Sequence, residues 1–360
     1  MNTTVFEMEV KMTKILKCPD CGSFVTYDPQ LQKMKCEYCG KVMDTQESQD
    51  EFDVADGETV EGSFDEAEKE QVKLKVYKCP SCGAEILTDE FTSSTHCSFC
   101  GNPTMMEDRF EGEHKPAYII PFVIDKGKAI EMYTAWAKKG VFTPKFFSEE
   151  ATIEKITGMY VPFWLYDYNA REMVKADCTR VRRKVKGDYE YVYTDHYMVG
   201  RDLECDYLKI PADASEKMPD DVMDMLEPFD YSKLCDFEMP YLSGFYSEKY
   251  NYTGDQMSPR VEYRVKKYIN DAVMQTITGY ATVNVMGRNV NIKKLQAKYA
   301  LLPVWILNCK YKDKDFFLAM NGQTGRIVAR KPLSKKKMMT WGAGLWVALF
   351  ALLKFLGGWI

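Results

Sequence analysis

Two copies of one cysteine pattern constrain this chain more than any other feature. Each copy has two Cys-x-x-Cys-Gly turns, with fourteen residues between its second and third cysteines. A Cys-x-x-Cys turn directs two thiolates at one centre, and two such turns supply the four sulfurs of a tetrahedral zinc site. The pattern therefore predicts two zinc ribbons, each built from short β-hairpins over one ion. The predicted ligands are Cys18, Cys21, Cys36 and Cys39 in the first copy and Cys79, Cys82, Cys97 and Cys100 in the second.

Cysteine fills all four positions of each predicted site, so no coordination position is open to water or substrate. Both Zn²⁺ ions are therefore expected to be structural, and to supply the folding energy that so small a ribbon lacks. The competing interpretation is a disulfide framework. No apolar leader opens the chain, because Glu7, Glu9, Lys11 and Lys14 interrupt the first segment. Thiols of a cytosolic chain stay reduced, which favours metal.

The charge of the chain argues against a nucleic-acid partner. The 360 residues carry a formal charge of −5, which becomes about −9 when eight thiolates hold two zinc ions. Residues 1–43 contain six Lys and Arg against five Asp and Glu, and residues 71–115 contain five against seven. A ribbon that binds nucleic acid needs a cationic face. Such a face remains open locally near the first site, from Lys11, Lys14, Lys17, Lys33, Lys35 and Lys41.

The composition divides the chain into five segments. Residues 1–43 form ribbon 1, 44–70 an acidic disordered linker, 71–115 ribbon 2, 116–333 an α+β core, and 334–360 a basic collar with a C-terminal membrane segment. The linker is dense in carboxylates, has one lysine and few apolar residues, which predicts an extended, self-repelling spacer. Two ribbons joined in this way are expected to hold their metals independently.

The core has the pattern of an antiparallel, β-rich α+β fold. Apolar runs and helical periodicity predict its elements. These are a buried strand at Tyr118–Ile124, helices at Lys126–Lys139 and Val261–Met274, antiparallel strands over Tyr160–Ile210 with a basic turn at Arg180–Lys186, and a hairpin that pairs Phe316–Met320 with Arg326–Ala329.

A weak internal repeat lies within this core. Tyr160-Val-Pro-Phe-Trp-Leu-Tyr166 matches Leu301-Leu-Pro-Val-Trp-Ile-Leu307. The repeat predicts two related modules that each place a tryptophan, Trp164 or Trp305, in a shared core. Stacking of these rings on a ligand is the alternative to packing.

The last segment, Trp341–Ile360, is about as long as the roughly 20 residues that a spanning helix requires. Lys335, Lys336 and Lys337 precede it, so the positive-inside rule places the bulk of the chain in the cytoplasm, with one C-terminal span in the cell membrane. Lys354 lies near the distal end and is expected to snorkel outward. A helix lying flat on the membrane, or a tail packed on the core, are the alternatives.

The two ribbon motifs, Tyr160–Tyr166, the run EPFDYSKLCDFEMPYLSGFYSEKYN, and LLPVWIL followed by FFLAMNGQTGRIVARKPLSKKK together resemble a bacterial family. Its members are described as transcription factor IIB-type zinc-ribbon-containing proteins and tend to be membrane-anchored. The resemblance implies association with flotillin-like (SPFH) and phage-shock (PspA-like) proteins. A helicase description given to some members has no support, because the chain lacks a Gly-x-x-x-x-Gly-Lys-Ser/Thr loop.

No catalytic motif is found in the sequence. His96, His114 and His196 have no motif around them, and His96 is expected on the ribbon surface beside Cys97. Single cysteines in apolar or strand-like runs are usually small buried hydrophobes. These are Cys178, Cys205, Cys235 and Cys309. The run containing Asp220, Asp221 and Asp224 is expected to be a solvated acidic face, and no small-molecule substrate or further cofactor is indicated.

We therefore expect a non-enzymatic, membrane-tethered adaptor or scaffold that recruits proteins at the cytosolic face of a bacterial membrane. Two alternatives stay open. The first is a nucleic-acid-binding regulator that uses the ribbons, for which affinity would fall steeply with salt. The second is an enzyme whose site in the core has no recognisable motif, for which a deep pocket with convergent polar groups is expected.

Overall fold

The computed structural model describes residues 13–47, 52–55, 74–106, 110, 115–140, 142–311, 314–329 and 334–357. Its fold is mixed α+β with a β-rich core. The strands are β1 Thr13–Leu16, β2 Val25–Asp28, β3 Lys33–Cys36, β4 Val42–Met43, β5 Phe52–Ala55, β6 Leu74–Lys78, β7 Glu85–Asp89, β8 Thr92–His96, β9 Pro103–Met106, β10 Tyr118–Ile119, β11 Thr157–Lys186, β12 Tyr189–Asp213, β13 Cys235–Asp236, β14 Tyr246–Glu248, β15 Thr282–Tyr311, β16 Lys314–Asn321 and β17 Ile327–Ala329. The helices are α1 Lys126–Lys138, α2 Glu150–Ile153, α3 Asp220–Met225, α4 Gly254–Gln275 and α5 Lys335–Gly357.

Three very long antiparallel strands form the centre of the fold. β11 lies between β12 and β15, and both β11 and β15 are 30 residues long. Because successive side chains of a strand point to opposite faces, alternate residues of β11 are buried beneath α4. These are Tyr166, Tyr168, Ala170, Val174, Ala176 and Cys178. The antiparallel strands expected over Tyr160–Ile210 are present.

Helix α4 begins seven residues before its predicted start because a capping box sets its first turn. The Thr253 side chain accepts from the backbone N–H of Gln256, and the Gln256 side chain accepts from the backbone N–H of Thr253. From there an apolar stripe at intervals of four residues faces the long strands. The stripe consists of Met257, Val261, Val265, Ile269 and Val273. The helix thereby covers the apolar face of the central sheet.

The two repeat segments pair with each other at the base of the sheet, with Tyr160 opposite Pro303 and Trp164 opposite Tyr299. The indole N–H of Trp305 donates to the Ile124 carbonyl at 3.0 Å, and that of Trp164 donates to the Tyr252 carbonyl at 2.8 Å. Both indoles therefore pack into the protein with their polar atom satisfied, which favours packing over ligand stacking.

Two predicted elements differ in the structure. β10 ends at Ile119, and the chain beyond it is held by single hydrogen bonds, such as that from the Ile124 N–H to the Gly322 carbonyl at 2.9 Å. Arg180–Lys186 is strand rather than turn, and the reversal occurs at Gly187 and Asp188. Gly187 has a φ of 60°, the conformation that a two-residue hairpin loop requires at its first position.

Some of the ribbon strands extend the core sheet, while β2, β3 and β4 form a separate three-stranded sheet and β6 and β7 a two-stranded one. The sheet runs in the order β13-β10-β15-β11-β14-β8-β9-β1-β5, so β8 pairs with β14 of the core and β1 pairs with β9. Strand β5 lies inside the segment 44–70 that was predicted to be disordered, and it pairs with β1. The prediction of an unstructured linker is therefore wrong at Phe52–Ala55. Residues 48–51 and 56–70 lie outside the described part of the chain.

Helix α5 leaves the body beside the loop that follows α1. The Ser334 N–H donates to the Phe142 carbonyl at 2.8 Å, the Lys337 ammonium donates to the Thr143 carbonyl at 2.7 Å, and the Trp341 ring contacts the Phe142 ring. Within the described residues, α5 is the one helix long and apolar enough to cross a membrane, and none of its apolar window is buried. The tail packed on the core is therefore not the observed arrangement.

Candidate metal centres

The first site lies between the end of β1 and the small sheet formed by β2, β3 and β4. The Sγ atoms of Cys18 and Cys39 are 3.6 Å apart, and those of Cys21 and Cys36 are 3.5 Å apart. All four sulfurs lie within 4.8 Å of one another. The structure thus brings together the four cysteines that the spacing predicts.

The second site has the same construction. The Sγ atoms of Cys79 and Cys100 are 3.7 Å apart, as are those of Cys82 and Cys97. A tetrahedral ion with metal–sulfur bonds of about 2.3 Å requires sulfurs about 3.8 Å apart. Both sets fit that geometry and can each hold one metal ion. A tetrahedral set of four sulfurs suits zinc or iron.

Each Cys-x-x-Cys turn closes on a glycine in the left-handed region, with φ values of 71° to 76°. These are Gly22, Gly40, Gly83 and Gly101. The glycine N–H donates back to the carbonyl of the first cysteine, as in the 2.8 Å bond from Gly22 to Cys18. A side chain there would be strained by the backbone rather than by a neighbour, since the space around each is open.

The thiols in each set are electrostatically unequal. Burial would raise the pKa of Cys97, but N–H donation from Cys100 and Phe99 outweighs it and lowers that pKa to about 7. Cys36 has a pKa lowered to about 7 by the same balance, with Cys39 and Tyr38 as donors. In contrast, burial and then the neighbouring thiols raise the pKa of Cys100 to about 12. Four crowded thiolates need a cation, which a divalent metal supplies.

Ribbon 1 is fixed to the core through Ser243. The Tyr27 N–H donates to the Ser243 carbonyl at 3.0 Å, and the Ser243 hydroxyl donates to the Val25 carbonyl at 2.5 Å. Both bonds are made by β2, whose next strand, β3, carries Cys36. β2 thereby links the core to the strand that carries Cys36, and Cys18 and Cys36 belong to the same buried cluster as core residues such as Trp305.

Ribbon 2 is fixed to the core through buried serines and an ion pair. The Ser93 and Ser247 hydroxyls lie 2.7 Å apart, and the Ser94 hydroxyl donates to the Phe245 carbonyl at 2.6 Å. Lys217 joins the two parts by pairing with Asp89 of the ribbon and, at 2.7 Å, with Glu248 of the core. Although burial would raise the pKa of Asp89, its hydrogen bonds to Lys217 and Thr92 lower it to about 2.

The outer surface of each ribbon carries one exposed aromatic ring at an equivalent position. Tyr38 is 83% exposed and Phe99 is 77% exposed, and each directly precedes the last cysteine of its site. Sequence reasoning missed this pair, although the cysteine alignment contains it: Cys36-Glu-Tyr-Cys matches Cys97-Ser-Phe-Cys. In both ribbons the backbone N–H of the aromatic residue also donates to the sulfur of the cysteine two residues before it, Cys36 or Cys97.

The remaining candidate residues lie away from both sites, except His96. His96 is half-buried at the junction with the core, where its ring lies 5.1 Å from that of Tyr246, and burial lowers its pKa. Its expected place on the ribbon surface is therefore wrong. His196 is exposed 3.4 Å from Asp177, and His114 lies outside the described residues. Cys178 is buried, and Cys205, Cys235 and Cys309 are partly buried.

The acidic run at the start of α3 is not simply solvated. Arg260 of α4 pairs with Asp220 at 2.9 Å, with Asp224 at 2.9 Å, and with the buried Asp213 at 3.2 Å. Burial, followed by the charges of Asp220 and Asp224, raises the pKa of Asp213 to about 7 against the opposing effect of Arg260. The run thus anchors α3 to α4, which corrects the expectation of a free acidic face.

Fold and sites together define, within the described residues, a protein with two four-cysteine clusters that can each hold a metal ion, built into a β-rich α+β body and followed by a long apolar helix. The chain is 40% identical over 338 residues to Uncharacterized protein YdjG of Bacillus subtilis (strain 168), an alignment covering 94% of this chain and 96% of the relative. The chain therefore belongs to the same family as YdjG. No family model matches it, and no solved structure matches it.

Proposed function

We propose that each four-cysteine centre holds a structural Zn²⁺ ion, and that the protein is a non-enzymatic adaptor tethered to a bacterial membrane by α5. Zinc is favoured because the eight ligands are thiolates in closed tetrahedral sets, the arrangement typical of structural zinc. With four protein ligands around each ion, neither centre has a position at which a substrate could bind.

The observation that carries the adaptor proposal is the pair of exposed rings, Tyr38 and Phe99. The two rings stand at equivalent positions of the two ribbons, and aromatic residues are enriched among the side chains that dominate the energy of protein interfaces. Both rings are carried on turns between two cysteines of their clusters, so coordination of a metal would hold the backbone that presents them. They are therefore suited to insert into pockets of a partner protein.

The tether is supported by the length and composition of α5. After the three lysines of its first turn, the 20 residues from Met338 to Gly357 extend about 30 Å at 1.5 Å per residue, which matches a hydrocarbon core of about 30 Å when Lys354 snorkels outward. Lysines at its N-terminal end favour a cytosolic body. By the family resemblance drawn from the sequence motifs, flotillin-like and PspA-like membrane proteins are the first partners to test.

The test is in-cell crosslinking of full-length protein, followed by purification from membranes. Tyr38→Ser combined with Phe99→Ser is expected to remove most of the captured proteins, while Tyr263→Ser, at an equally exposed tyrosine on α4, retains them. An unchanged set of captured proteins in the double variant would contradict the proposal. Recovery of nucleic acid in place of protein would favour the regulator alternative.

A further inference from the structure

The two strands β11 and β12 continue beyond every other strand and helix in the described part of the chain. The ladder between β11 and β15 ends where Thr179 pairs with Thr282, whereas the β11–β12 ladder continues to Lys186 and Tyr189. We call residues 180–195 the hairpin arm. At its base the Arg180 guanidinium lies between the rings of Tyr197 and Tyr280, at 5.1 and 4.9 Å. This clamp holds the arm to the body.

The hairpin arm has no core of its own. All of its residues from Arg180 to Thr194 are exposed, and Asp195 is half-buried. A two-stranded hairpin alone in water is only marginally stable. This arm nevertheless presents apolar and aromatic side chains on both faces, with three tyrosines on one face and three valines on the other. They are Tyr189, Tyr191, Tyr193, Val181, Val185 and Val192.

The charge of the hairpin arm is opposite to that of the whole protein. It has five Arg and Lys against three Asp and Glu, in a chain whose net charge is −5. Two of its arginines are neutralised within the arm, since Arg182 pairs with Asp195 at 2.9 Å and Arg183 pairs with Glu190 at 3.4 Å. Lys184 and Lys186 lie on the tyrosine face, directly across from Tyr191 and Tyr189.

The arm is also remote from the helix proposed to hold the protein in the membrane. α5 leaves the body next to Phe142, and Phe146, four residues on, packs its ring against that of Tyr311 at the end of β15. The base of the arm adjoins Thr282, at the opposite end of that 30-residue strand. A contact made by the arm is therefore separate from α5.

We infer that the hairpin arm is a second membrane contact, which inserts its tyrosines and valines into the interface of a bilayer rich in anionic phospholipid. Tyrosine is enriched at the headgroup level of membranes, where its ring is buried and its hydroxyl stays wet. Lysines beside such rings bury their methylene stems and hold their ammonium groups among lipid phosphates. The arm provides both groups on one face.

The valine face distinguishes this occupant from nucleic acid. A nucleic-acid strand would use the tyrosine face for stacking and the lysines for phosphates. It would leave the valines exposed, and it would meet the carboxylate of Asp195, which lies on the tyrosine face across from Arg180. A bilayer interface covers apolar groups on both faces of a thin hairpin at once. Glu190 on the valine face is paired with Arg183, and Asp188 at the turn and Asp195 at the base can remain in the aqueous headgroup layer.

The test is hydrogen–deuterium exchange of the arm amides in full-length protein held in nanodiscs. Phosphatidylcholine discs are compared with discs that also contain phosphatidylglycerol. Amides of residues 180–195 are expected to exchange at least about tenfold more slowly in the anionic discs. Each lysine near such a surface raises the affinity for it roughly fivefold. Lys184→Gln with Lys186→Gln should remove the difference. The control, Lys293→Gln with Lys298→Gln on exposed positions of β15, should keep it.

The measurement is local, so attachment of the protein through α5 does not affect its interpretation. Equal exchange in the two kinds of disc would overturn the inference. If a single-stranded oligonucleotide slows amide exchange of the arm in neutral discs and phosphatidylglycerol does not, the membrane inference is overturned in favour of nucleic acid. Val185→Ser, with both lysines intact, is expected to reduce the slowing of amide exchange in anionic discs. That result would support burial of the valine face.

Discussion

The hydroxyl oxygens of Ser93 and Ser247 lie 2.7 Å apart in a fully buried contact between ribbon 2 and the core. This bond joins β8, which ends one residue before Cys97 of the second four-cysteine cluster, to β14, which pairs with β11. Because polar groups buried without a partner are costly, the junction forms only when ribbon and core are docked together. Ribbon folding and core stability are therefore expected to be coupled.

Lys217→Met tests this coupling. The change leaves the buried Glu248 and the half-buried Asp89 without their shared cation. We expect a loss of about 1–3 kcal/mol in unfolding free energy, below the full cost of breaking a buried pair because Lys217 is partly exposed. Lys128→Met, which removes an exposed pair with Glu131, should cost less than about 1 kcal/mol. Equal losses in the two variants, measured by denaturant unfolding, would contradict the coupling.

Gly158→Ala tests the packing of the second repeat tryptophan. A Cβ at Gly158 would lie 2.7 Å from the Phe245 ring and 3.0 Å from the Trp305 ring. Overpacking of this kind costs about 1–3 kcal/mol, and we expect the unfolding midpoint to fall accordingly. Gly200→Ala, on β12 with nothing within 4 Å of its Cβ, is the matched control and should be neutral. If the two variants unfold together, the ring packing is not as described.

Asp213→Asn tests a pH dependence of stability. The pKa of Asp213 is raised to about 7 from an ordinary 3.8, so the folded state binds the extra proton between these values. Protonated Asp213 therefore stabilises the folded state near pH 5. This stabilisation is lost as the pH rises through 7, at up to about 1.4 kcal/mol per pH unit. Between pH 5.5 and 8 the wild type should lose more unfolding free energy than Asp213→Asn. Asp188→Asn, in the exposed turn of the arm, should show the same pH dependence as the wild type. If Asp213→Asn also shows the wild-type pH dependence of unfolding free energy, Asp213 is not its source.

Deletion of residues 341–360 tests the tether. Full-length protein is expected to stay with membranes through high-salt and carbonate washes, because α5 is a long, mainly apolar helix none of whose apolar window is buried in the protein. The truncated protein should fractionate away from the membrane under the same washes and keep its metal. Release of the full-length protein by carbonate would instead indicate a helix that lies on the surface.

The sequence was informative wherever a local rule was sufficient. The spacing of Cys18, Cys21, Cys36 and Cys39 predicted a cluster that the structure brings within 4.8 Å, since each pair is positioned by its own turn. The apolar period predicted a helix at Lys126–Lys139, and α1 differs from it only by ending one residue earlier. The β16–β17 hairpin followed from its glycine-containing turn.

Contacts between distant segments could not be predicted in this way. β8 and β14 are separated by about 150 residues and pair over only a few positions, too short for an alternating pattern to identify a partner. The short run Phe52–Ala55 became a strand because β1 offered an open edge. The start of α4 was missed because Thr253 and Gln256 act as a capping pair ahead of the apolar stripe.

Metal analysis of the purified full-length protein tests the central claim most directly. The proposal predicts two zinc ions per chain, and one each in the Cys36→Ser and Cys97→Ser variants. It also predicts a lower unfolding midpoint of the core in both variants, because the ribbons are docked on its sheet. Cys178→Ser, at a buried cysteine outside both sites, should retain two ions. Less than one zinc per chain, or iron in its place, would contradict the assignment of two structural zinc centres.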